Sequence, residues 1–168
     1  MYLTTYLKYA GIFLVLIILQ SSFIGYILSI PNYNITPDLV ILLVIYLGYT
    51  RGQTAGMISG FISGLILDIL SGTFVGLLAL SYTLAGFIAG YFNRQLTENV
   101  SKKSSFLGII FICTLVAYTV YYIIYFQGSG MNFPEIFIKH ILTTALYTSV
   151  FGLIFAFINS RFNLNKSF

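Results

Sequence analysis

Apolar residues run along this chain in long unbroken blocks, and the few charges fall between them. Charge-free stretches cover 9–37, 39–50, 52–67, 69–93, 104–134 and 141–160. A helix crossing a bilayer needs about 20 mostly apolar residues, in a range near 17–25. The first, fourth, fifth and sixth stretches meet that length. The second and third are short, and Arg51 divides them. Fused into one span, they would bury Arg51 at mid-membrane, at a cost of about 2.5–3.5 kcal/mol on insertion scales. Two short spans with Arg51 at a tight turn avoid that cost.

The positions of the cations give the orientation, because Lys and Arg concentrate in short cytoplasmic loops. With six spans and the N-terminus inside, Lys8, Arg51, Arg94, Lys102, Lys103, Arg161 and Lys166 all face the cytoplasm. Only Lys139 lies toward the outside. Pro31, Pro37 and Pro134 fall in the two outer loops, where proline starts or ends a helix without breaking it. The reading is an all-α integral membrane protein, a single bundle over residues 1–168. Its six transmembrane helices lie near 8–30, 37–50, 52–70, 73–93, 104–126 and 135–160, with both termini cytoplasmic. The run after Lys8 exceeds a signal-peptide core of roughly 7–15 residues and reads as a retained span. "TPD" reads as a helix start, with Thr36 as N-cap, Pro37 at the first helical position and Asp38 in the first turn.

Composition agrees with a lipid environment. The chain is 58% apolar and 7% charged, whereas soluble domains carry about 25% charged residues. Too little polar surface exists to cover a water-soluble globule. The scattered cations read as topology signals, and no nucleic-acid partner is expected.

The third span carries Gly52, Gly56, Gly60 and Gly64 at four-residue spacing, with Asp68 next in the row. Gly86 and Gly90 repeat the spacing in the fourth. In lipid, small residues at this period let backbones approach closely. The row therefore serves packing within the chain, or partly a groove for a partner helix. Asp68 is an acid within a span, and such groups face a bundle interior, a cavity or a partner. Topology puts Lys139 at a similar depth, so the two form a candidate polar outer pocket; alternatively Asp68 caps a helix end while Lys139 reaches outward alone. Tyr118, Tyr121, Tyr122 and Tyr125 share one face of the fifth span. They form an outer aromatic belt or a surface for a partner helix. A lone histidine, His140, and a lone cysteine, Cys113, make no metal site. No phosphate loop, nucleophile elbow or HExxH motif is present. No catalytic residues and no cofactor are expected, and the protein reads as a non-enzyme.

One stretch resembles a known family. In "TPDLVILLVIYLGYTRGQTAGMISGFISGLILDILSGTFVGLLALSYTLAGFIAGYF", Pro37-Asp38 opens a span, Gly56, Gly60 and Gly64 lead to Asp68, and Gly72, Gly76 and Ala79-Leu80 follow. These residues resemble the bacterial rod shape-determining protein MreD, most closely over 36–92. The resemblance implies a non-enzymatic scaffold of the elongation machinery in the bacterial cytoplasmic membrane. Such a scaffold supports cell shape and lateral peptidoglycan synthesis. It also implies an MreC-like bitopic partner, with the MreB filament, the RodA glycosyltransferase and its transpeptidase in the same assembly. The implied fold is similar to the S components of energy-coupling-factor transporters, six helices around an outward-facing hollow. That likeness brings an alternative function, a subunit that binds or transports a small molecule.

Overall fold

A computed structural model describes residues 11, 13, 15, 17–20, 36–72, 74–95, 102–127, 134 and 137–163. Among these residues the chain is helical, with no strand. Helix α1 is seen at its described positions between 11 and 20. Then follow α2 (Leu39–Arg51), α3 (Gln53–Ser71), α4 (Leu77–Gln95), α5 (Lys102–Tyr125) and α6 (Thr143–Asn163), the last preceded by a π-helical turn, Phe137–Leu142.

Arg51 is exposed at the end of α2, and Gly52 turns the chain directly into α3. Gly52 has φ +93° and ψ 176°, a conformation essentially restricted to glycine. It therefore stands outside α3 as the turn residue. The row that shares the helix runs from Gly56 to Asp68.

Helices α3 and α4 form an antiparallel pair whose backbones touch. A Cβ added at Gly56 would lie 2.5 Å from the Gly86 carbonyl oxygen. One at Gly64 would lie 2.6 Å from the Ala79 Cα and N. Gly60 faces the Tyr82 backbone in the same way, and Gly90 faces Gln53. Gly48 of α2 also meets Gly86, with a Cβ–oxygen separation of 2.6 Å. Any side chain at these sites would push helix axes apart. Helices α2, α3 and α4 thus form one tight sheaf through glycine.

Helix α2 is the core of the bundle. Val40, Ile41, Val44 and Ile45 are wholly buried, with Leu42, Leu43 and Leu47 nearly so. Tyr82, Ala85 and Ala89 of α4 and Ile110, Cys113 and Ala117 of α5 pack around it. The opposite faces are apolar and exposed: Ile58, Phe61, Ile62, Ile69 and Leu70 on α3, Leu80, Phe87 and Tyr91 on α4, and Leu146, Val150 and Ile154 on α6. A globule in water would not present this much large aliphatic and aromatic surface. By length and composition, α3 and the stretch Leu107–Tyr125 are long and apolar enough to cross a membrane. Buried hydroxyls donate within their own helices, as Ser63 does to Ser59 O (2.7 Å) and Thr114 to Ile110 O (2.7 Å).

Candidate functional site

The start of α2 corrects the sequence-based cap assignment. Asp38, not Thr36, is the N-cap, and Pro37 precedes it as a buried residue outside the helix. Asp38 has extended backbone angles, φ −100° and ψ 99°, and its carboxylate accepts from the helix's own N–H groups. That geometry needs a short acceptor one residue before the first helical position. Asp38 supplies it better than Thr36, two residues farther back.

The cap is the centre of a larger clamp. Asp38 Oδ1 accepts from Val40 N (3.1 Å), Ile41 N (3.0 Å) and Gln20 Nε2 of α1 (2.9 Å). Asp38 Oδ2 accepts from the Tyr118 hydroxyl of α5 (2.7 Å) and from the Tyr82 hydroxyl of α4. The Gln20 amide oxygen accepts from Leu39 N and Val40 N, each at 3.0 Å. Thr148 of α6 accepts from Asp38 N at 3.3 Å. Each orphan N–H at the head of α2 therefore has a partner. The carboxylate lies at the positive end of the helix dipole, where its charge is favoured. Five helices contribute a group to this point. Asp38 is buried and so is Tyr82, while Gln20 and Tyr118 are half-buried.

Asp68 works in parallel. It is fully buried, and its carboxylate accepts from Gly76 N (2.9 Å), Leu78 N (3.1 Å to each oxygen) and Ala79 N (3.3 Å). Leu77 N donates to Phe74 O at 3.2 Å. The acid of α3 thus caps α4 across the turn between them. The side chain of Lys139, the other half of the candidate outer pocket, lies outside the described residues.

The tyrosine face is continuous, with the Tyr118 ring 6.4 Å from Tyr121 and 6.0 Å from Tyr122, but its members do different work. Tyr118 points inward and serves the clamp. Farther along α5, Tyr121 stacks on Tyr125 (centroids 5.6 Å, 11°) and Tyr122 on Phe126 (5.7 Å, 16°). The His140 ring sits 5.5 Å from Tyr122 and 5.9 Å from Phe126, which ties the π-helical turn to the end of α5. Gly52, Gly56, Gly60, Gly64, Gly86 and Gly90 occupy the turn and the packing seams described above.

Sequence reasoning did not single out Gln20, Tyr82 or Thr148. Gln20 opens a short polar patch, Gln20-Ser21-Ser22, inside an apolar run, and that is the available signal. Tyr82 and Thr148 carry no such mark, because only the tertiary fold brings them to Asp38. Among the described residues, no buried side-chain nitrogen or oxygen lacks a hydrogen-bond partner, and no cluster of His, Cys, Asp or Glu suits a metal ion. The polar groups at this site join helices.

The sequence matches the family described as rod shape-determining protein MreD over residues 4–161. The chain belongs to the MreD family. Membership makes it a membrane protein involved in determining cell shape, within a family not known for enzymatic activity. No curated protein and no solved structure gives a match. In this MreD protein a clamp gathers five helices and glycine seams bring backbones into contact.

Proposed function

We propose that this MreD protein is a non-enzymatic scaffold of the bacterial cell-elongation machinery. It sits in the cytoplasmic membrane with both termini in the cytoplasm. It engages the transmembrane helix of an MreC-like bitopic protein, and so supports cell shape and lateral peptidoglycan synthesis beside the MreB filament, RodA and its transpeptidase. The family match over 4–161 carries this reading.

The geometry lends support by elimination. The glycine seams are occupied inside the chain, so a partner helix has to use another face. Among the described residues both buried acids, Asp38 and Asp68, are engaged in capping helices, which supports the scaffold over the S-component-like alternative. The half-exposed ring columns at the end of α5 remain as a surface for a partner. Tyr125→Ala together with Tyr121→Ala should reduce co-purification of the MreC-like partner about tenfold, a loss of about 1.4 kcal/mol, with the thermal midpoint of the purified protein little changed. Full recovery of the partner by the folded double variant would overturn the assignment of this face.

A further inference from the structure

The Asp38 clamp gives four helices a common origin of depth. Asp38 stands at the head of α2, and Tyr82 of α4, Tyr118 of α5 and Thr148 of α6 meet it there. From that origin Arg51 lies 13 residues along α2, Arg94 lies 12 along α4 and Arg161 lies 13 along α6. Lys103 and Lys102 lie 15 and 16 residues back along α5, which runs the other way. At 1.5 Å per residue, all five positions fall about 18–24 Å from the clamp. The helices stay side by side over this distance. Gly48 meets Gly86, Gly90 meets Gln53, and Gly152 meets Ile110 and Leu42. Five of the chain's eight cations therefore end at one level, in a band about 6 Å deep.

The acids do not balance this rim. Asp38 and Asp68 are buried caps at the other end of the bundle. Glu135 precedes the π-helical turn at that same far end, and Glu98 alone belongs to the connection between α4 and α5. Like charges gathered on one edge repel, so the rim favours anionic counter-charges. Tyrosine shows at what level they lie. Tyr91 is 51% exposed and shares a face of α4 with Arg94, three residues on. Its ring meets Phe92 edge-on, with centroids 6.1 Å apart. Tyr49, half-buried, precedes Arg51 at the end of α2. Tyrosine favours the level of lipid headgroups. The rim thus stands among lipid phosphates, not out in water where a soluble acidic surface would meet it.

We infer that this rim is a binding surface for anionic phospholipids, whose phosphates are held by Arg51, Arg94, Lys102, Lys103 and Arg161. Cations that read in the sequence as topology signals are gathered by the fold into one lipid site. The inference concerns the Arg51 end of the bundle and depends neither on the partner nor on the orientation proposed above.

The chain has no tryptophan, so Tyr91→Trp places a single reporter beside the rim. The full-length variant is reconstituted in bilayers of phosphatidylcholine and phosphatidylglycerol, with bromine on the chains of one lipid or the other. Quenching of the introduced tryptophan gives the relative affinity of the two lipids. Phosphatidylglycerol should be preferred about tenfold in about 0.1 M salt, and less in about 1 M salt. Arg94→Gln with Lys102→Gln in the same background should reduce the preference to about twofold or less. Lys139→Gln, off the rim by its place before α6, should leave it unchanged. Equal quenching by the two lipids in the folded Tyr91→Trp protein would overturn the proposal and leave the rim to an acidic protein or to topology alone. A preference that survives both high salt and the rim substitutions would also overturn it, because the anionic lipid would then bind elsewhere.

Discussion

At Asp38 a single carboxylate receives two backbone N–H groups, two phenol hydroxyls and one amide. Hydrogen bonds between helices in membranes are worth about 0.6 kcal/mol on average and up to about 1.7. Tyr118→Phe should therefore lower the unfolding free energy by about 0.6–1.7 kcal/mol, read as a lower melting midpoint in detergent. Asp38→Ala should do far more, because one change strips the cap and leaves the Tyr82 and Tyr118 hydroxyls without their acceptor. The expected result is loss of the monodisperse species on size exclusion; a stable Asp38→Ala protein would show that the clamp is dispensable. The chain itself revealed that Asp38 opens a helix, but not that it is the N-cap or that groups from four other helices converge on it. The first follows from local spacing. The second depends on partners as distant as Tyr118 and Thr148, which no local pattern marks.

At the scale of the helices, glycine is either essential or incidental according to what faces it. Gly64 and Gly86 stand against backbone, so even a methyl group there forces α3 and α4 apart. Gly108 has open space around the same position. Gly86→Ala should abolish recovery of folded protein. Gly108→Ala should be neutral or stabilise by up to about 1 kcal/mol, the ordinary helix preference of alanine over glycine. Limited proteolysis and thermal scans of the two variants distinguish these outcomes. The four-residue period made the seam between α3 and α4 readable in advance, since small residues at that spacing have one main use in lipid. The helix ends were less readable. The residues 73–76 look as apolar as the helix after them, yet α4 starts only at Leu77, where the Asp68 carboxylate meets its N–H groups. Likewise the last helix is preceded by a π-helical turn that nothing in the hydropathy pattern announces.

For the whole molecule, the exposed apolar faces and the buried polar clamp invert the arrangement of a water-soluble domain. Ile62 is 52% exposed near the middle of α3. In water, Lys at such a site would be harmless. In a bilayer, Ile62→Lys should cost about 2.5–3.5 kcal/mol and sharply lower the amount of protein recovered from the membrane fraction. Thr54→Lys, at the exposed first turn of α3 beside Arg51, is the matched control and should leave that amount unchanged.

The clamp also imposes an order on biosynthesis. Asp38 leaves the ribosome 80 residues before Tyr118 and 110 residues before Thr148. At about 5–20 residues per second, the wait is about 4–22 s. During that interval α3 and α4 can already close their glycine seam, and the clamp has only Gln20 and, once α4 is in place, Tyr82 beside the Asp38 carboxylate. The protein is thus assembled as an early hairpin awaiting a late fastening, and a chain cut short before α5 would reach the membrane with that fastening undone.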